Sequence, residues 1–266
     1  MNSREILLYL SLIYKGDWDK IFDTFYKNKD EKIDEKAAQR LFSTVKSKYI
    51  TIFDEEYPDI LKQIVKPPFV LYYYGDISLL KSENLLAVVG TRKVSEYGIE
   101  ATNYLVSSLA KDFVIVSGMA IGVDAVAHRT AINSGGRTIA VLGNGIDFCY
   151  LKDNQDIYSN CKEKNLVISE YPGKTPVNPL NFPIRNRIIA GLVNTLLVTE
   201  GTINSGTQIT SLLVLEKGGN VCCVPARIFE ESVCNELIAN GAFLVEKPID
   251  VYVAAGVTPR TSIFEK

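Results

Sequence analysis

The stretch LLAVVGTRKVSEYGIEATNYLVSSLAKDFVIVSG, residues 85–118, contains the pattern that decides the fold. It begins with a continuous apolar run, passes through a glycine-containing turn and an amphipathic stretch, and ends in a second apolar run followed by Ser-Gly. Continuous apolar runs are typical of strands buried on both faces, and a helix between two such strands forms a parallel crossover. Residues 85–118 therefore predict a strand, a helix and a strand of one parallel sheet.

The same alternation continues toward the end of the chain. We predict strands at 85–89, 114–116, 138–142, 166–168, 195–198, 221–224 and 243–245, and helices near 99–110, 124–134, 155–164, 186–191, 205–217 and 235–240. The predicted fold class is α/β, an extended Rossmann-type, mostly parallel sheet with helices on both faces, preceded by a small helical N-terminal module. Such sheets bind ligands at the carboxyl ends of their strands.

Upstream of residue 85 the pattern differs. Residues 1–54 are predicted to form the small helical module, with helices at 4–14, 18–26 and 34–49. Tyr57-Pro58 and Lys66-Pro67-Pro68 interrupt helical periodicity. We therefore predict that 55–84 is an extended connecting segment packing on the sheet domain, which spans 85–266.

The composition of the chain excludes several classes of protein. Hydrophobic residues make up 47% and charged residues 23% of the 266 residues, which is ordinary globular usage. No apolar run approaches the ~20 residues of a membrane span and the N-terminus lacks a signal-peptide pattern, so we expect a cytoplasmic protein without membrane contact. Five cysteines without C-x-x-C spacing and a single histidine make a metal site unexpected, and no cofactor is expected. A net charge of -2 means that any nucleic-acid binding must use a local basic patch.

Two loops after the first strands suit phosphate. Gly90 lets the backbone approach an anion, and Arg92 offers a bidentate grip, although a solvated arginine in an ordinary turn is an equal alternative. The second loop brings Ser117, Gly118 and Gly122 to the same edge, where small residues admit either a sugar-phosphate backbone or a packed helix. The first loop is not G-x-G-x-x-G, and no acidic residue ends the second strand, so a nicotinamide cofactor is disfavoured.

The most specific stretch is FPIRNRIIAG, residues 182–191. Phe182 precedes Arg185, Asn186 and Arg187, a combination of stacking and phosphate-binding side chains that is typical of single-strand binding. Arginines two positions apart cannot share one helical face, so one of them is alternatively a structural anchor.

The following loop again opens a helix with small polar residues. Ser205, Gly206 and Thr207 suit a further phosphate, or Ser205 is simply an N-cap. Glu200 is expected to anchor an arginine of the neighbouring loop.

Together these motifs, with Val88-Val89-Gly90-Thr91-Arg92, residues 117–124 and residues 182–192, resemble the DprA/Smf family over about residues 55 to 253. The resemblance implies a homodimer that binds and protects single-stranded DNA and helps load RecA recombinase during bacterial natural transformation, without catalysis. We expect the dimer to form through the carboxyl-terminal part of the sheet domain. The resemblance implies DNA-binding positions at Gly90, Arg92, Ser117, Gly118, Gly122, Phe182, Arg185, Asn186, Arg187, Ser205, Gly206 and Thr207.

Departures from the family pattern leave alternatives open. A basic residue shortly before Phe182-Pro183 is missing, and Lys174, the nearest cation, is a candidate substitute. One alternative is a phosphoribohydrolase-like enzyme on a similar sheet, whose P-G-G-x-G-T-x-x-E signature is absent here. Another is a protein-interaction platform with a decayed DNA pocket, against which the intact arginines argue.

Overall fold

The sheet of the protein has nine strands. The computed structural model describes residues 1–27 and 33–260. The strands are β1 Lys48–Thr51, β2 Val70–Gly75, β3 Leu85–Val89, β4 Val114–Ser117, β5 Arg137–Leu142, β6 Leu166–Ser169, β7 Thr195–Val198, β8 Asn220–Cys223 and β9 Phe243–Leu244. Their order across the sheet is β1-β2-β6-β5-β4-β3-β7-β8-β9.

The helices alternate with the strands from β3 onward. They are α1 Ser3–Tyr14, α2 Trp18–Phe22, α3 Glu35–Phe42, α4 Asp59–Lys62, α5 Glu96–Leu109, α6 Val123–Asn133, α7 Gln155–Glu163, α8 Asn181–Leu192, α9 Gly206–Glu216, α10 Val233–Ala239 and α11 Pro248–Ala255. No helix of the described part of the chain has the length and apolar character needed to cross a bilayer.

The seven strands from β3 to β9 pair in parallel, which confirms the predicted α/β class. Adjacent residues of one strand enter different cores: Leu86 and Val88 pack in a cluster with α5, while Ala87 and Val89 pack in a cluster with α8. Burial on both faces explains why the strands read as continuous apolar runs. The order of the strands reverses between β3 and β7, so the carboxyl ends of β3 and β7 border the switch point, and the end of β4 lies next to that of β3.

The N-terminal prediction needs one correction. The helix predicted at 34–49 ends at Phe42, and Lys48–Thr51 instead forms β1, which pairs antiparallel with β2. Pairing with β2 buries Ile50 and Thr51, two β-branched residues of the type that fits a strand well. The predicted connecting segment contributes β2, which joins the sheet next to β6.

The N-terminal helices pack directly against the sheet. Leu7, Leu10 and Ile21 share a buried cluster with Tyr72 of β2, whose hydroxyl lies 3.0 Å from Ser11 Oγ. The boundary of a separate module at residue 54 stays a prediction. The short helix α4 and the C-terminal helix α11 were not predicted from the sequence.

Candidate nucleic-acid interface

Loops after β3, β4 and β5 meet the start of α8 around one small cavity of about 160 Å³. We call it the carboxyl-edge cavity. Its lining comprises Arg92, Gly118, Met119, Ala120, Ile121, Leu142, Gly143, Asn144, Tyr150, Leu151, Phe182 and Arg185. The structure therefore brings together the first loop, the second loop and the 182–185 segment, which are far apart in the sequence.

Arg92 and Phe182 form the mouth of this cavity. The Arg92 guanidinium carbon lies 5.2 Å from the centre of the Phe182 ring, and Arg92 is otherwise exposed. Phe182 lies in the first turn of α8, four residues before the predicted start of this helix, and Pro183 is compatible with that first turn. Opposite the ring, a Cβ on Gly143 would lie 2.8 Å from Phe182 Cδ1, so only glycine leaves room for it. The opening of the cavity is therefore formed by a cationic side chain that lies over an aromatic ring.

Arg185 lies behind this pair and is buried. Its Nη1 donates to the carbonyl of Gly118 at 2.6 Å and to the carbonyl of Val141, and its Nε donates to Asn186 Oδ1 at 3.2 Å. Burial lowers the pKa of Arg185 to about 10, while the nearby Asp124 carboxylate acts in the opposite direction. The side chain therefore fixes the β4 and β5 loops and leaves a positive charge beneath the cavity floor.

Asp124 is a residue of this site that sequence reasoning did not single out. Its buried Oδ2 accepts the backbone N–H groups of Gly118 at 3.2 Å and Ala120 at 3.3 Å. Gly118 is thereby held through its N–H by Asp124 and through its carbonyl by Arg185. Burial raises the pKa of Asp124, against the influence of Arg185. An aspartate in the first turn of a helix after a glycine-rich loop was the available signal.

The small residues of the first two loops are packing positions in this structure. A Cβ on Gly90 would lie 2.5 Å from the Glu200 carbonyl, and Gly122 has a φ of +83° against the backbone of Thr91. Ser117 Oγ is buried and donates to the Val88 carbonyl at 2.7 Å. These contacts hold the loops close together.

The loop that contains Ser205 and precedes α9 lies beside the cavity and does not line it. Asn186 Nδ2 donates to the Gly206 carbonyl at 3.2 Å and so connects α8 to the start of α9. Ser205 is the N-cap of α9, accepting from the Gln208 N–H, and Thr207 is buried. The contact of these residues with a phosphate stays a prediction.

Arg187 points away from the carboxyl-edge cavity. Its Nη2 donates to both oxygens of Glu170, at 2.7 and 2.8 Å, and its Nε donates to the Lys66 carbonyl at 2.9 Å. Burial raises the pKa of Glu170 although Arg187 lies beside it. Arg185 and Arg187 thus occupy opposite sides of α8, as their spacing predicts.

The structure also places Glu200 and Lys174, two residues that the sequence analysis singled out. Glu200 was expected to anchor an arginine, which is wrong: its Oε2 accepts from the N–H and the hydroxyl of Ser95, each at 3.0 Å, at the start of α5. Lys174 is exposed on a loop whose flanking residue Thr175 accepts from the N–H of Gly145 at 2.9 Å. Lys174 does not line the cavity, and its role as a substitute cation stays a prediction.

Known proteins are similar to this chain in sequence and in fold. The profile of the family described as DNA recombination-mediator protein A matches residues 48–256. DNA processing protein DprA from Streptococcus pneumoniae is 40% identical over 204 residues, covering 76% of this chain and 72% of the relative, and that from Bacillus subtilis is 35% identical over 206 residues, covering 76% and 69%.

Two solved structures have a fold similar to that of this chain. The X-ray structure of DprA from Streptococcus pneumoniae superposes with a TM-score of 0.78 at 34% identity, covering 94% of this chain and 92% of that one. A structure of DNA processing protein A from Helicobacter pylori, described as giving insights into its unique single-stranded DNA binding mode, has a TM-score of 0.70 at 28% identity, covering 77% and 94%. The chain therefore belongs to the DNA recombination-mediator protein A family, whose members are named DNA processing protein DprA and Smf.

Proposed function

We propose that this protein binds single-stranded DNA at the carboxyl-edge cavity. The observation that carries the proposal is the exposed guanidinium of Arg92 placed over the ring of Phe182 at the cavity mouth. Aromatic faces stack on bases and arginines bind the backbone in single-strand sites. The family membership and the single-strand binding described for the Helicobacter pylori relative support the same function.

In this proposal the three cationic and aromatic residues have different roles. A base enters the cavity and stacks on Phe182, and Arg92 binds an adjacent phosphate. Arg185 contributes its charge from beneath the floor and holds Gly118, while its Nη1 hydrogen bonds are made to protein carbonyls. Backbone groups at Gly90, Gly118 and Gly122, and the more distant Ser205, Gly206 and Thr207, are proposed to border the strand.

The test compares labelled single-stranded and double-stranded oligonucleotides by fluorescence anisotropy. Phe182→Ala is expected to weaken single-strand binding by ~1 to 3 kcal/mol without changing the slope of log affinity against log salt. Phe53→Ala is the matched control because Phe53 is also partly exposed, at 54%, but lies outside the cavity. Equal single-strand affinity in both variants would refute the site, and preferential duplex binding by the wild type would refute the function.

We further propose that the bound strand is passed to a recombinase of the RecA type in the cytoplasm, and that the protein itself catalyses no reaction. The match to the DNA recombination-mediator protein A family and the similarity to DNA processing protein DprA of Streptococcus pneumoniae and Bacillus subtilis support this step. With this protein present, RecA is expected to displace a single-strand-binding protein from a circular strand faster. An unchanged rate of RecA ATP hydrolysis on that coated strand would count against the recombinase step alone.

A homodimer is proposed through the β9 edge of the sheet. Phe243 and Leu244 form this edge strand and are 42% and 46% exposed, and Val253 on the neighbouring α11 is 70% exposed. Exposed apolar side chains on an unpaired edge favour association with a second chain. Leu244→Lys is expected to halve the mass measured by light scattering, and a wild-type monomer at every concentration would refute the dimer.

A further inference from the structure

A second and larger concavity lies on the other side of α8. Its volume is about 1010 Å³, and it is bounded by α8, α9, residues 63–66 and residues 14–19. We call it the apolar groove because Trp18, Ile64, Ile184, Ile209 and Leu213 form its walls. This volume is at the upper end of small-molecule sites, so the groove has room for several side chains of a larger ligand.

The charges along the apolar groove balance. The lining carries equal numbers of cations and carboxylates, namely Lys15, Lys66, Arg187 and Lys217 against Asp17, Asp19, Glu170 and Glu216. Arg187 pairs with Glu170 and Lys66 pairs with Asp19, each at 2.7 Å. A single-stranded nucleic acid requires a continuous positive track, which these pairs do not provide. The groove therefore suits an apolar segment of protein.

Lys217, the C-cap residue of α9, is a cation of the groove that makes no ion pair among the described residues. Its Nζ donates to the Gly191 carbonyl at 3.3 Å, and no carboxylate of the described residues lies within ion-pair distance of it. Lys217 remains exposed along part of its side chain, and the partial burial of its ammonium group lowers its pKa to about 8; no neighbouring carboxylate, that of Glu216 included, opposes this shift. An ammonium group in such surroundings is stabilised when a ligand brings a carboxylate.

We propose that the apolar groove binds an amphipathic helix of a partner protein, whose apolar face packs on Ile184, Ile209 and Leu213 and whose carboxylate side chain pairs with Lys217. A helix that binds in a groove inserts apolar side chains spaced about one helical turn apart. The walls of the apolar groove, formed by the neighbouring helices α8 and α9, offer apolar side chains for such contacts. The proposal does not depend on DNA binding, because Arg92 and Phe182 do not line the groove.

The protein carries its own reporter for this test. Trp18 is the single tryptophan of the chain, lines the groove and stacks on Phe69 with ring centres 5.1 Å apart. The probes are helical peptides with leucine at i, i+4 and i+7 and one glutamate at successive positions, and the same set with lysine in its place. At least one glutamate peptide is expected to shift Trp18 emission saturably, and its lysine counterpart to bind about tenfold more weakly.

Paired variants distinguish the groove from its surroundings. Ile209→Lys is expected to abolish the peptide response, whereas Leu212→Lys retains it, because Leu212 is similarly exposed on α9 but does not line the groove. Lys217→Gln is expected to weaken the glutamate peptide about tenfold, and Lys111→Gln to leave it unchanged.

Three results would overturn the proposal. The first is the absence of a response to any peptide, and the second is an equal response in Ile209→Lys. The third is a response to dodecanoate or to a single-stranded oligonucleotide but not to peptides, which would assign the groove to another occupant. Because Lys217→Gln leaves the carboxyl-edge cavity intact, single-strand affinity in this variant reports separately on the proposed function.

Discussion

Replacing each of three arginines by alanine is expected to have different effects, because their surroundings differ. Arg92 is exposed, and among the described residues its interaction is with the Phe182 ring. Arg92→Ala is expected to change the free energy of unfolding by less than ~0.5 kcal/mol, as for other surface substitutions. If Arg92 binds one phosphate, the slope of log affinity against log salt falls by ~0.7.

Arg185, which is buried, and Arg187, which is partly buried, act mainly on stability. Arg187→Ala leaves the carboxylate of Glu170, which is 4% exposed, without its partner, and breaking such a buried pair costs about 3 to 5 kcal/mol. Arg185→Ala leaves the carbonyls of Gly118 and Val141 without their donor and is expected to cost a similar amount. These losses are a large part of the about 5 to 15 kcal/mol that stabilises a typical domain.

Urea unfolding and salt-dependent anisotropy, measured on the same preparations, separate these effects. Arg137→Ala is the matched control for Arg92→Ala, because Arg137 is exposed at the opposite, amino end of β5 and pairs with Asp76. The reasoning fails if Arg92→Ala keeps the wild-type salt slope. It also fails if Arg187→Ala unfolds at the same urea concentration as the wild type.

The remaining predictions concern packing and protonation. Gly118→Ala would place a Cβ 2.5 Å from the Arg185 guanidinium, so we expect a lower melting temperature and weaker single-strand binding, and a wild-type melting curve would contradict this. Burial lowers the pKa of His128 to about 3, so its ¹⁵N imidazole signals are expected to stay those of the neutral ring from pH 8 to 5; titration near 6.5 would contradict this. Below pH 6.5, His128 of the unfolded chain becomes protonated while His128 of the folded protein stays neutral. The free energy of unfolding is therefore expected to fall as the pH drops below 6.5.

The parallel sheet was predictable because burial on both faces makes each strand a continuous apolar run. The strand β1 was not, since Lys48–Thr51 is short, lies at the sheet edge and takes its stability from pairing with β2. Its four residues carry too little periodicity to separate them from the preceding helix.

The sequence allowed us to predict which residues belong to the candidate site, but not which contacts each of them makes. Sequence spacing indicates that Arg185 and Arg187 face different sides of α8, yet it does not indicate which of them meets a carboxylate. Glu170, which pairs with Arg187, lies 17 positions away along the chain after β6. Likewise Glu200 meets Ser95, 105 positions away, because β7 and β3 are neighbours in the sheet.

The central claim is that a base of single-stranded DNA enters the carboxyl-edge cavity and contacts Phe182. Photo-crosslinking with an oligonucleotide carrying 5-iodouracil, followed by mass spectrometry of the digested protein, tests this contact directly. The rings of Phe182 and Tyr150 lie 6.4 Å apart in the cavity lining, so adducts are expected on one or both of them and are expected to disappear when unlabelled single strand is added. Adducts found only on residues outside the cavity lining would contradict the claim.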